Sequence, residues 1–257
     1  MPAIFEPTPR RTAIGQFAVL AFLLSVVACS RRGPPDPNQV FWDPRTAELA
    51  AAAASGDAER VNVLVRSGAD VTAHGDKNVT LLQWAMFNKS MAGMEALLAA
   101  GADPAQPGID YDTVVHLAAM ANDPKYLELL LQHGADPNAR NGVTRATPLV
   151  SALMGDREVQ IHALLAAGAD PNAADRTGNT PLHQAAKINR PQRVLELLKA
   201  GAIPSTANIT GATFQWYFFQ PPDKLVTPEV RRGREVVKNW LRIHQIPIED
   251  VPAYGHQ

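Results

Sequence analysis

Glycine returns along this chain at positions 68, 101, 134, 168 and 201, in steps of 33, 33, 34 and 33. Four of the five open Gly-Ala-Asp, and the fifth reads Gly201-Ala202-Ile203. Threonines at 80, 113, 147, 180 and 213 keep the same steps. A period of this length leaves room for two short helices and a turn. Helices of two or three turns do not persist alone in water. One such unit cannot bury its own apolar face, but units stacked in register bury each other's. The repeat therefore commits the chain to an array built by side-by-side stacking.

Residues 180–201 show how one unit is written. The Thr180 hydroxyl can cap a helix, and Pro181 suits the first helical position, where no N–H is needed. Leu182, Ala185 and Ala186 give a face of small apolar side chains, so neighbouring helices can approach closely. Val194, Leu195, Leu197 and Leu198 form the apolar side of a second helix, which Gly201 stops in a left-handed conformation. Pro171, Asn172, Asp175 and Gly178 are turn formers leading into the unit.

The phrase Thr180-Pro181-Leu182-His183, with Gly-Ala-Asp-Pro-Asn at 134–138 and 168–172, resembles the ankyrin repeat. The resemblance covers about residues 45–247. It implies an all-α solenoid of about six helix-turn-helix units with β-turn fingers. The units are expected near 47–79, 80–112, 113–146, 147–179 and 180–212, with a modified C-terminal cap at 213–247 and a tail at 248–257. It also implies structural roles for Gly68, Gly101, Gly134, Gly168 and Gly201, for Thr180 and Pro181, and for His116 and His183, whose rings would hydrogen-bond the repeat turns. Departures from the phrase are informative. The first unit has Glu48-Leu49-Ala50, as an N-terminal cap would. The second reads Thr80-Leu81-Leu82-Gln83, the third Thr113-Val114-Val115-His116, and the fourth Thr147-Pro148-Leu149-Val150. In the last unit "IHQIP" (243–247) echoes "AGAIP" (200–204). This puts His244 in the glycine position and about ten extra residues around 220–228. Thr227-Pro228 starts a final helix whose apolar side carries Val230, Val237, Trp240 and Leu241.

The N-terminus reads as an address. Arg10 and Arg11 precede an apolar run from Ala13 to Ala28, shorter than the roughly 20 residues of a membrane-spanning helix. Val26-Val27-Ala28-Cys29 resembles a bacterial lipobox. It implies a signal peptide at 1–28, cleavage before Cys29 and lipidation of that residue. A plain signal peptide or an uncleaved anchor is the alternative reading. Ser30 rather than Asp after the cysteine favours the outer membrane by the sorting habit of such lipoproteins, with the chain facing the periplasm. Residues 29–44, rich in proline, read as an extended tether.

Little else points to chemistry. A formal net charge of −1 lacks the basic excess that nucleic-acid binding needs. The single cysteine excludes an internal disulfide. His74, His133, His162, His244 and His256 have no ligand spacing, and no nucleotide-binding or hydrolase motif is present. The expectation is a non-enzyme with no catalytic residue, no metal and no cofactor. Arg231, Arg232, Arg234, Lys238 and Arg242 read as the solvated face of the capping helix. Most of Trp216-Tyr217-Phe218-Phe219 is expected to pack beneath the insertion.

What remains is recognition of another protein by a monomer. Seven residues after each threonine stand Phe87, Met120, Met154, Lys187 and Gln220. The family resemblance turns this position toward the groove, so Phe87, Met120 and Met154 would form a stripe that Trp84 extends. Burial of the same side chains between adjacent inner helices is an equal alternative. At the turn tips, Tyr111, Arg140, Arg145 and Arg176 are the leading contact candidates, since Tyr and Arg dominate interface energetics. The function expected is a membrane-anchored adaptor or inhibitor. An immunity protein against a delivered toxic enzyme such as a phospholipase, or a support factor for a periplasmic stress enzyme, is the more specific alternative. An enzyme or metal-binding protein built on the array, and a spacer with no specific partner, are the rivals.

Overall fold

The structure, a computed structural model, describes residues 36–250. The expected signal peptide, Cys29 with Ser30, and residues 251–257 of the tail lie outside the described residues. Among the described residues there are thirteen α-helices and no strand. They fall into two compact units: one ends at Ala100 and adds Gly108–Asp110, the other holds Gly101–Pro107 and everything from Tyr111 on.

The first unit contains α1 (Pro37–Val40), α2 (Pro44–Ser55), α3 (Ala58–Arg66), α4 (Leu81–Phe87) and α5 (Met91–Ala99). Each begins at a residue whose side chain takes up a free backbone N–H. Asp43 accepts from Thr46 N–H, Asp57 from Arg60 N–H and Ser90 from Gly93 N–H. Leu49, Ala50, Ala53, Val61, Leu81, Leu82, Ala85, Met94 and Leu97 are buried among them. Gly93 is fixed by close approach: a Cβ there would collide with the Ala53 carbonyl, where α5 crosses the end of α2. One expectation is corrected here. Residues 37–40, expected as part of an extended tether, form a helical turn capped by Asp36, and Phe41 is buried edge-on to Trp84 with ring centroids 5.6 Å apart. The prolines around this segment concealed an apolar anchor.

The second unit contains α6 (Val114–Met120), α7 (Lys125–Gln132), α8 (Pro148–Met154), α9 (Glu158–Ala166), α10 (Pro181–Lys187), α11 (Pro191–Lys199), α12 (Phe214–Phe219) and α13 (Pro228–Ile243). The inner helices α6, α8, α10 and α12 pack side by side in chain order; α7, α9 and α11 each pack on their own inner partner, and α13 packs on α11. Ala118, Ala152 and Ala185 are fully buried, which lets the inner helices come together, and Leu130, Leu164 and Leu197 fill the outer seam. Burying a leucine contributes about 1.5–3 kcal/mol, so stacking supplies what two-turn helices lack.

Polar side chains set the register between successive repeats. The Asn138 amide donates to the Gly168 carbonyl (3.0 Å) while its Oδ1 accepts from Asp170 N–H (2.7 Å). Asn172 makes the same pair of bonds to Gly201 (3.0 Å) and Ile203 (2.7 Å). Aspartates 70, 103, 136 and 170 each accept the N–H two residues on, all at 2.8 Å. The turns are thus polar for structural reasons.

The last repeat departs from its expected register by one residue. Gln245, not His244, holds the left-handed conformation (φ 57°), and Ile246 N–H bonds to the Leu241 carbonyl as Ala202 N–H does to that of Leu197. Arg234, expected on a solvated face, is buried. Its guanidinium donates to the Pro221 carbonyl (2.6 Å) and Asp223 (3.1 Å), and lies over the Phe218 ring. It ties the proline-rich insertion to α13. Phe218 is fully buried below it, with Trp216, Tyr217 and Phe219 half-buried.

Candidate partner-binding surface

The inner helices are held at their N-termini by one repeated device. In α6 and α10 the threonine before the helix donates its hydroxyl to the histidine four positions into the motif, Thr113 to His116 Nδ1 and Thr180 to His183 Nδ1, both at 2.9 Å. The Nε2 of each ring donates to a carbonyl of the next turn, Ala146 for His116 and Ala212 for His183, both at 3.0 Å. Each Nδ1 also accepts from the threonine's own N–H, at 3.3 Å in His116 and 3.1 Å in His183, which places the ring hydrogen on Nε2. Burial pushes the His183 imidazole below its ordinary pKa, and the bond to Ala212 counters this only in part. In the second repeat an amide replaces the ring: Gln83 Oε1 accepts from Thr80 and Ile109 N–H. In the last repeat the slot holds Trp216, and Gln215, one residue earlier, bonds both the Pro247 carbonyl and Glu249 N–H. The His116 and His183 rings are therefore used up in structure.

Backbone bonds tie successive fingers of the second unit: Gly142 N–H to Tyr111 O, Arg176 N–H to Thr144 O, and Ile209 N–H to Thr177 O, at 2.8–3.1 Å. Residues 78, 111, 145, 178 and 211 share one register position, and all have positive φ, between 61° and 78°. Gly178 and Gly211 occupy it without strain. Tyr111 and Arg145 do not, and a left-handed residue with a side chain costs roughly 1–2 kcal/mol. Both side chains nevertheless project to solvent, Tyr111 being 57% exposed.

The other expected contact residues divide. Arg176 is exposed. Arg140 is not a free cation: it donates to the carbonyls of Arg145 (2.9 Å) and Ala174 (2.7 Å) and so stiffens the fingers. Trp84 is corrected outright. It is 2% exposed, and its indole N–H donates to the Ala50 carbonyl at 3.1 Å, so it belongs to the core of the first unit. Phe87 is half-buried in that unit. Met120 is half-buried and Met154 is 38% exposed, both in the second unit, where the next residue in the row is exposed Lys187. The Lys187 ammonium sits 4.5 Å above the Tyr217 ring, whose hydroxyl accepts from Asn208. Two tip residues escaped the sequence reading: Val143 and Ile209, exposed and each 33 residues from Arg176. Residue type singled out Arg176; a step of 33 in either direction along the chain reaches both.

The outer helices carry a separate ionic cluster. Arg193 is buried between Asp156 (3.3 Å), Glu158 (2.9 Å) and Glu196 (3.0 Å). Burial works against its charge, but the bonds from Glu158, Glu196 and Asp156 outweigh it and hold the guanidinium above its ordinary pKa. Among the described residues no three His, Cys, Asp or Glu side chains gather as metal ligands would.

A family model described as "Ankyrin repeats (3 copies)" matches residues 49–141 and 115–208. The chain belongs to the ankyrin-repeat family. Protein PhlB of Serratia liquefaciens is 46% identical over 132 residues, covering 51% of this chain and 58% of PhlB. Human palmitoyltransferase ZDHHC13 is 30% identical over 135 residues, 52% of this chain and 21% of that protein. The chain thus matches less than two thirds of either relative's length. The ankyrin repeat domain of Bcl-3 superposes with a TM-score of 0.64 at 25% identity, covering 76% of this chain and 85% of that one. Ankyrin repeats are protein–protein interaction modules, typically without catalysis, and the exposed fingers fit that use.

Proposed function

We propose that this ankyrin protein is a lipid-anchored, periplasm-facing adaptor or inhibitor that acts by binding rather than by catalysis. Its partner is another protein, gripped by the fingers and inner helices of the second unit. The observation that carries the reading is the pair Tyr111 and Arg145, exposed at left-handed positions that glycine fills in later repeats. Val143, Arg176 and Ile209 flank them on the tips, with Met154 and Lys187 on the helices behind. Aromatic and arginine side chains set among smaller apolar ones are the composition of a binding hot spot. Arg10-Arg11, the apolar run and Val26-Val27-Ala28-Cys29 support export and lipidation, and Ser30 supports the outer membrane.

The test is capture from envelope extracts by the full chain, beside Tyr111→Ala/Arg145→Ala and Met120→Ala/Met154→Ala variants. A partner recovered by the parent and lost with the first variant supports the finger site. Loss with the second alone shifts the site to the inner helices. Equal recovery by all three refutes both surfaces.

A further inference from the structure

The most exposed large apolar side chain among the described residues is Trp42, at 85%. It is not loose. Phe41 before it is buried against Trp84, and Asp43 after it accepts from Thr46 N–H (2.8 Å) and the Thr46 hydroxyl (2.9 Å). Both neighbours are pinned, so the backbone holds the indole outward and no described side chain covers it. Asp36, where the described structure starts, is only seven residue steps from Cys29. Fully extended they span at most about 25 Å, and α1 adds roughly 6 Å. An acylated Cys29 would therefore keep Trp42 within reach of the bilayer surface. Tryptophan favours that boundary, with its apolar body in the acyl region and its N–H among headgroups. Arg31 and Arg32 between them supply attraction to anionic headgroups.

We propose that Trp42 is a second membrane contact. It docks the N-terminal end of the first unit onto a phospholipid surface, so that the lipid fixes location and the indole fixes orientation. This rests on the reading of Cys29 as the lipid anchor.

The test uses the full-length lipoprotein recovered from envelopes and reconstituted into phosphatidylethanolamine/phosphatidylglycerol vesicles with or without bromine-labelled acyl chains. Bromine quenches an indole only at close range, and of the four tryptophans Trp84 is buried and Trp216 and Trp240 are half-buried. Emission of the parent is expected to drop with brominated lipid, and that drop is expected to vanish in Trp42→Phe with its thermal midpoint unchanged. The mass of the N-terminal peptide and flotation with the vesicles report on the anchor separately. An acylated, floating protein whose emission ignores bromine, or is quenched equally in Trp42→Phe, overturns the docking and leaves the anchor standing. An unacylated Cys29 overturns both.

Discussion

The histidine latch makes a sharp demand on two threonines at equivalent positions. Thr180 and Thr147 are both almost fully buried and both precede an inner helix. Thr180 donates to His183 at 2.9 Å. Thr147 has Val150 in the histidine slot, and its hydroxyl is buried with no partner. Valine is close to isosteric with threonine, so the same substitution should act in opposite directions. Thr180→Val removes a buried bond and should cost about 1–2 kcal/mol. Thr147→Val removes a desolvated, unpaired hydroxyl, whose cost is about 1–3 kcal/mol, and should be neutral or stabilising. The two variants should differ by about 2 kcal/mol, or on the order of 4–8 °C in Tm for a chain of this size.

Repeat arrays can unfold in parts, so local opening is the better readout. Amide exchange across 148–154 and 181–187 should quicken at the second site in Thr180→Val and at neither in Thr147→Val. The latch can also be built where it is missing. The Asn179 carbonyl accepts from Asp175 N–H just as the Ala146 and Ala212 carbonyls accept from Asn141 and Asn208, and those two carbonyls receive the histidine rings. Val150→His should therefore stabilise Thr147 protein by about 1 kcal/mol more than it stabilises Thr147→Val, the coupling expected of a direct contact. If Thr147→Val costs as much as Thr180→Val, the hydroxyl serves as an ordinary helix cap and the latch argument fails.

Other consequences follow from single groups. His183 titrates below its ordinary value in the fold, so the unfolded chain binds the proton first as pH falls. Stability should drop as pH goes down from about 6.5 toward the folded pKa, by at most about 1.4 kcal/mol per pH unit for one proton. His183→Gln, which copies the amide that Gln83 places in the same slot, should flatten that slope in urea titrations at several pH values. Arg145→Gly relieves the left-handed strain but adds unfolded-state freedom of about 0.4–1 kcal/mol. Its Tm should hold or rise slightly while partner affinity falls, whereas a fall in Tm would mean the side chain stabilises the finger. Gly93→Ala drives a methyl into the Ala53 carbonyl and should cost at least about 1–3 kcal/mol by thermal melt; a loss below half that would show that α5 can shift away from α2.

The helix pairs were legible because they repeat, and the latch because the phrase resembles the ankyrin signature. Thr180-Pro181-Leu182-His183 states a cap, a first helical residue, a core side chain and a latch in four letters, and the structure uses each in that way. Trp84 misled because its burial depends on Phe41, which approaches from a proline-rich segment outside the periodic pattern. Arg234 misled for a related reason: its partners, Pro221 and Asp223, lie in an insertion that has no counterpart in other repeats. Periodicity carries information only where there is a sibling to compare. The one-residue slip at Gln245 arose in the same insertion-bearing repeat.

The same comparison separates positions that hold the array together from positions that are free to recognise something. Aspartates 70, 103, 136 and 170, asparagines 138 and 172, and the His116, His183 and Gln83 set keep one chemistry because each satisfies a particular backbone group in its own or the next turn. Arg140 behaves like them, with both of its bonds going to main-chain carbonyls. The column through Tyr111 and Arg145 is the opposite case. Backbone geometry there favours glycine, no hydrogen bond in the fingers requires a phenol or a guanidinium, and yet two bulky side chains stand in it. Their contribution should therefore appear in affinity and not in stability. Exchanging Tyr111 and Arg145 with each other should leave the melting curve in place while abolishing partner capture, and a swapped protein that still binds would mean the column is filled by chance.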